Sequence, residues 1–456
     1  MVTNKHKLIS AGLTERERRL RRDMLTIVES VLADVDPQKV IKEAVTVRDG
    51  ILRVKDATYD LHSFEHIYVV GAGKGAYGMA LAVEKLLGRR ITAGHINVQY
   101  LPVRTVLKKI RVTVAGHPMP NAAGVRGSRK ILSLVKAAGS RDLVIALISG
   151  GGSALMPLPS PGIKLSEKVV LTSLLLKTPA TIQEINIVRR HLSQIKGGQL
   201  ATAAYPARVI GLYMSDIIAK PFDYTASRPT APDDATFADA IRILKNHRIW
   251  DRAPARVRRH LIEGAKGLVP ETPNKRHEMF SKHLVYNCII ADHRTSLASA
   301  ARKARSLGYR ACAYTSLMSG EARNVSKKPL KAARRFANRG NRPAVLIATG
   351  ETTVTVLGKG KGGRNQELVL SVTPLLKNGV VLLSIGTDGV DGINPKLVAG
   401  ALADGSTVQK AHALRLPAKR YLVSNDSYHF FEKIGSHIVT GHTGTNVGDL
   451  VLIGIR

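Results

Sequence analysis

Two cysteines, Cys288 and Cys312, are all that 456 residues carry, and they form no metal-ligand spacing. So few thiols in so long a chain suit a reducing cytoplasm, with both side chains expected to be buried and inert. Acidic residues are also scarce, 34 against 69 basic, for a formal net charge of +35. Such an excess raises nucleic acid as a partner. Aromatic residues, however, make up only 4% of the chain, so stacking platforms for bases are few. The basic residues are scattered through segments such as RERRLRR (16–22) and KKPLKAARRFANRGNR (327–342). Nucleic acid is therefore disfavoured, and a solvated basic surface suited to anionic substrates is the simpler reading. No apolar run reaches membrane-spanning length and no signal-type segment is recognisable, so a cytoplasmic protein with no membrane partner is expected. H-E-x-x-H, G-x-S-x-G and G-x-x-x-x-G-K-[ST] are all missing, which removes zinc-protease, serine-hydrolase and P-loop chemistry.

What is present is alternation. HIYVVGAGKG (66–75), HINVQY, IRVTVAG, DLVIALISGGG and ARVIGLYMSD are short runs rich in β-branched residues. AYGMALAVEKLLG and GVRGSRKILSLVKAAG, lying among them, have helical periodicity. Strands alternating with helices predict an α/β fold with a mainly parallel sheet covered on both faces. A polar, Pro-containing stretch over 247–283 marks a boundary, after which HLVYNCIIAD, YRACAYTS, GVVLLSIGTDGVDG and GDLVLIGI resume the pattern. RPAVLIATGETTVTVLG predicts a hairpin or bent strand pair around its Gly-Glu turn. The length is ample for two domains.

The loops at the strand ends carry the chemistry. GAGKG (71–75), GHPMPN, SGGGSA (149–154), MSD, TGET and GTDGVDG nearly all combine glycine with a charged or hydroxyl residue. Backbone N–H groups in such turns form anion-binding concavities at the carboxyl ends of parallel strands. GAGKGA matches a relaxed dinucleotide fingerprint, but the acidic residue expected about 20 positions on is missing, so nicotinamide binding is disfavoured. Lys74 inside that turn is placed to meet a phosphate. Asp388 and Asp391 are suited to holding Mg²⁺ or to capping the following helix. Asp216 reads equally as a cap or as a base or metal ligand. Arg364 opens a helix whose dipole a cation does not favour, which suggests an external anion or a solvated surface residue. His117 and His191 read as turn and cap residues.

Read in order, LISGGGSALMPLPSPGI, INIVRRHLSQIKGGQLA, GETTVTVLGKGKGGRNQELVL and IGTDGVDG resemble the class II glycerate 2-kinases, the MOFRL family. The resemblance spans roughly residues 20 to 454. It implies ATP-dependent phosphorylation of D-glycerate to 2-phosphoglycerate with Mg²⁺, by a monomer or homodimer, with the active site in an inter-domain cleft. The fold it implies is a larger N-terminal Rossmann-like domain over 23–255 after a basic lead-in over 1–22. A connecting region and the start of the second domain follow over 256–340, and a smaller C-terminal α/β domain over 341–456. By motif, Lys74, Arg364 and Asp216 match catalytic positions. Gly71, Gly73, Ser149, Gly150, Gly151, Gly152 and Ser153, with His191 and Lys196, match substrate- or phosphate-binding ones, and Asp388 is the metal candidate. The chain departs from the family's pattern at Asn121, Ala219, Lys220, Arg228 and Thr349. The alternatives are a related scaffold acting on another 2-hydroxy sugar acid, or a basic nucleic-acid-binding relative without kinase activity.

Overall fold

A computed structural model describes residues 1–101, 106–217, 225–340 and 342–456. The chain forms two compact units. The first holds Pro37–Met214 and the described residues from 225 to Ile290. It opens with an antiparallel meander, β1 (Val45–Arg48), β2 (Ile51–Val54) and β3 (Ala57–Asp60). β1 and β2 meet at Asp49-Gly50, both with positive φ (49° and 77°), the backbone that the tightest hairpin turns require.

The main sheet of this unit comprises β4 (His66–Ala72), β5 (Ala93–Val98), β6 (Ile110–Val114), β7 (Asp142–Ser149), β8 (Arg208–Met214) and β9 (Val285–Ala291). Their spatial order is β6-β5-β4-β7-β8-β9, and β4 to β8 pair in parallel. This is the doubly wound order 3-2-1-4-5-6, whose direction reverses between β4 and β7. All eight residues of β7 are buried, as a central strand covered on both faces must be. Val144, Ala146 and Ile148 meet Ile131, Leu132 and Val135 of the helix Ala122–Lys136. The helix Ala76–Leu87 packs against β7 as well.

The second unit contains Ala291–Arg456, Met1–Asp36 and the Ser215-Asp216 pair. Its mixed sheet comprises β10 (Arg310–Met318), β11 (Ala344–Gly350), β12 (Val380–Gly386), β13 (Gly400–Asp404), β14 (His437–Ile438) and β15 (Asp449–Ile455). The order is β10-β11-β15-β12-β13-β14. β10 and β11 are parallel, and the other pairs are antiparallel. Residues 1–22, expected as a lead-in, are built into this unit's core. Leu20, Met24, Val28 and Val31 of the helix Glu15–Asp34 pack on Val345, Ile347, Val381 and Leu383. Arg21 is 1% exposed and forks onto Asp404, with both bonds at 2.6 Å.

Other expectations change too. Residues 353–357 form no strand beyond an isolated bridge at Thr353, and Val356 and Leu357 are exposed. Only the first half of the expected hairpin, β11, exists, because that β-branched run has no neighbour to bury it. Residues 256–340, expected as a connecting region and the start of the second domain, divide between the units: β9 completes the first sheet, while the 14-residue helix His293–Ser306 and β10 belong to the second. Cys288 is buried, whereas Cys312 is half-buried. No described helix is long and apolar enough to cross a membrane.

Candidate active site

In the first unit, two glycine turns face each other at the carboxyl ends of β4 and β7, where the strand order reverses. The Lys74 amide donates to Gly150 O (2.9 Å) and the Gly75 amide to Ser149 Oγ (2.9 Å). A Cβ on Gly73, whose φ is 141°, would stand 2.0 Å from Ser149 Oγ. Only glycine lets the turns approach this closely. Gly71 lies against the Leu147 carbonyl just below. Gly151, with φ 83°, turns the chain into the short helix Gly152–Leu155.

Ser153 Oγ shares a hydrogen bond with Ser227 Oγ (2.8 Å), which also donates to Asn186 Oδ1 (3.1 Å). Ser227 sits in a run of three left-handed non-glycine residues, Ala226, Ser227 and Arg228, with φ of 51°, 60° and 64°. Such backbone is uncommon outside glycine, and it persists where surrounding contacts over-determine it. Here the Gly197 amide donates to Ser227 O (3.0 Å) and the Gly198 amide to Arg228 O (2.6 Å).

Beside the turns lies a cavity of about 370 Å³, lined by His117, Gly151, Ser153 and Lys196 and by two residues sequence reading passed over, Lys168 and Arg189. Lys196 is buried, and its Nζ donates to Ser153 O (3.0 Å) and Met156 O (3.2 Å). Burial, with Lys168 and Arg189 nearby, holds its ammonium well below the usual lysine range. Burial, aided by Arg189, pushes Lys168 down to about 7. The available signal was a lysine at position 168 in helical register with the apolar Leu171 and Leu175, all three buried.

In the second unit, Arg364, Asp216 and Asp388 gather at one end of the mixed sheet. Arg364 begins the helix Arg364–Val372. Its Nε and Nη2 fork onto Asp449 at 2.6 and 2.9 Å, and Nη2 also reaches Glu351 Oε1 at 3.1 Å. The expected external anion is thus replaced by internal carboxylates. Burial opposes the charge, yet Asp449 and Glu351 hold it well above the ordinary range.

Asp391 caps the helix that Arg364 begins, not the one following it in sequence. It accepts from the Asn365 and Gln366 amides at 2.9 and 2.8 Å. Burial raises its carboxyl to about 6 against these donors. Asp388 Oδ1 accepts from the Val390 amide (3.0 Å), and Asp216 Oδ2 from Asn446 Nδ2 (2.6 Å).

Lys74, Gly71, Gly73, Ser149 to Ser153 and Lys196 are therefore brought together in one unit, and Arg364, Asp216 and Asp388 in the other. His191 stands apart. Its side chain is fully buried, with Nδ1 2.8 Å from Ile187 O, Nε2 3.2 Å from Glu271, and its ring edge-on to Phe237. It ties helices together and does not line the cavity. Of the departures, Asn121 Oδ1 caps the helix Ala122–Lys136 (3.0 Å) and buried Thr349 donates to His293 O (3.0 Å). Arg228 donates to Pro232 O (2.5 Å). Ala219 and Lys220 lie outside the described residues.

The fold and these turns define a two-unit α/β protein with interlocked glycine turns at a sheet switch point. Residues 23–262 match a domain of unknown function, DUF4147, and residues 344–449 match the MOFRL family. The chain is 36% identical to the glycerate 2-kinase of Pyrococcus horikoshii over 95% of its length and 97% of that protein. It is likewise 36% identical to the D-glycerate 2-kinase of Thermotoga maritima, over 95% and 98%. A crystal structure of glycerate kinase from Thermotoga maritima superimposes with a TM-score of 0.80 at 34% identity, covering 96% of this chain and 100% of that one. The chain belongs to the MOFRL family of glycerate kinases.

Proposed function

We propose that this protein is a glycerate 2-kinase, transferring the terminal phosphoryl group of ATP to D-glycerate and forming 2-phosphoglycerate. The observation that carries the reading is the pair of interlocked glycine turns holding Lys74 at the β4/β7 switch point, in a chain similar end to end to proteins of that name. Phosphoryl transfer asks a protein for positioning and charge neutralisation more than for covalent chemistry. Lys74 neutralises charge on the transferring group. The amides and hydroxyls of Ser149 to Ser153 cradle phosphate or substrate oxygens. Arg364, its fork fixed by Asp449 and Glu351, supplies a second cation, and Asp216 orients or deprotonates the acceptor hydroxyl.

Mg²⁺ rides on nucleotide phosphates and needs only one or two protein carboxylates. Asp388, a carboxylate just past the end of β12 whose Oδ1 accepts from the Val390 amide, fits that limited demand and would hold the ion, which neutralises phosphate charge. Among the described residues, the group of three donors close enough to share a metal is Glu65, His66 and Asp142. These lie at the amino ends of β4 and β7, away from the glycine turns.

The test is direct. Purified protein with ATP, Mg²⁺ and D-glycerate should yield 2-phosphoglycerate, identified by coupled enolase assay and by phosphorus NMR. Absence of phosphoglycerate, or formation of the 3-isomer alone, would overturn the reading.

A further inference from the structure

We propose that the cavity beside the Gly150–Ser153 turn is a carboxylate-binding subsite, and that Lys168 makes the kinase select an acid over a neutral polyol as acceptor. The inference rests on the glycerate-kinase reading and adds to it a place for the acid group of the substrate.

Three cationic side chains converge on this cavity, and among the described residues no Asp or Glu lines it. Lys168 is 7% exposed, and its Nζ has no hydrogen-bond partner among the described residues. A buried ammonium without a partner costs several kcal/mol by typical magnitudes, and a bound anion removes that cost. Lys196 is satisfied only by the two carbonyls of Ser153 and Met156, which leave its charge uncompensated. Arg189 is half-buried and pairs with no described carboxylate, so burial alone depresses its guanidinium. The next residue shows that the chain could have supplied an acid: Arg190, on the same helix Ile182–Arg190, sits 2.7 Å from buried Asp233.

Carboxylate and phosphate share the chemistry that would recognise such a site. The wall favours the carboxylate. Pro157, Val169 and Leu176 line the cavity along with the cations, which suits a small acid with one charged end and a carbon skeleton. A polyphosphate is better met by the backbone N–H cradle of the glycine turns. The depressed lysines agree with this. An arriving carboxylate restores the Lys168 charge, so binding takes up a proton and weakens as pH rises above about 7. Among the described residues, the other titratable groups that line the cavity with Lys168 are Arg189, Lys196 and His117, and none of them is anionic.

The experiment compares full-length wild type, Lys168→Met and Lys168→Arg by calorimetric titration with D-glycerate, inorganic phosphate and ATP, alongside steady-state kinetics. Lys168→Met should weaken D-glycerate binding about 10- to 100-fold and leave ATP within about twofold. The D-glycerate KM should rise with little change in kcat, and the preference for D-glycerate over glycerol should shrink. Lys168→Arg should keep D-glycerate within about fivefold, since the charge is retained. Where Lys168→Met does not fold, Arg189→Gln takes its place with the same arms.

Unchanged D-glycerate affinity in the variant overturns the inference. So does a loss confined to ATP or phosphate, which would assign the cavity to nucleotide, and so does a wild type that binds no D-glycerate. A wild type that binds D-glycerate through Lys168 but never phosphorylates it overturns the proposed function and leaves the subsite standing.

Discussion

Arg364, half-buried, and Lys168, buried, are both cations set into the body of a unit, and they are treated in opposite ways. Arg364 is forked onto an Asp449 that is wholly buried, with Glu351 beside it, so its charge is permanent and its position fixed. Lys168 has no hydrogen-bond partner among the described residues and is pushed down to about 7 by burial. A cation supplied with carboxylates is finished at folding, whereas one left without them awaits a ligand. The comparison teaches that burial and the count of nearby acids, more than residue type, distinguish a fixed electrostatic post from a receptive one.

Removing the fixed post should have the largest effect. Arg364→Ala strands the Asp449 carboxylate with only Asn365 Nδ2 (3.0 Å) still donating to it. Unfolding free energy should fall by about 3 kcal/mol in denaturant titration, with turnover largely lost. Arg364→Lys should recover less than half of either loss, because an ammonium cannot fork. If lysine restores both, the fork is irrelevant and the contrast with Lys168 collapses.

Lys74→Ala tests the cation that belongs to the glycine turn. Its kcat should drop roughly 100-fold with a smaller change in D-glycerate KM. Near-normal turnover would remove Lys74 from the chemistry.

Lys168 sharpens the comparison through pH. Its pKa is lower in the folded state than in the unfolded one, so the folded protein binds fewer protons between about 7 and the ordinary 10.5. Stability therefore rises with pH across that window, and below it the burial of charge is felt in full. Without ligand, Lys168→Met should melt above wild type, by about 2 kcal/mol at pH 6. That advantage should shrink as pH climbs toward 10. A pH-independent difference would mean that Lys168 is not a buried, titrating ammonium.

Arg228 gives the smallest expected effect. Glycine at φ 64° relieves left-handed strain, while the bond to Pro232 O and the 3.6 Å approach to Asp233 are lost. Asp233 keeps Arg190. Arg228→Gly should stabilise by about 0.5–1 kcal/mol in thermal melts. Destabilisation would show that the Arg228 contacts outweigh its backbone strain.

Residue order alone determined the strands of the parallel sheet and the glycine turns ending them, because apolar runs bounded by Gly are local signals written within a few residues. It also carried the family, since motifs are contiguous, and with it the roles proposed for Lys74 and Arg364. The β1–β2 hairpin went unread, although its signal is local: an Asp-Gly pair between two short runs whose charged residues mask the alternation.

Tertiary structure decided the rest. That β4 and β7 are neighbours, so that Gly73 meets Ser149, follows from strand order, which no single strand encodes. Arg364 finds Asp449 across 85 positions, and the basic helix Glu15–Asp34 joins a sheet whose first strand begins at Arg310. The mostly exposed TVTVL run has the composition of a strand, yet it pairs only through the single bridge of Thr353 to Glu321. Periodicity tells a chain which face to bury. Only packing tells it against what, and whether a lysine on that face meets a carboxylate or a cavity.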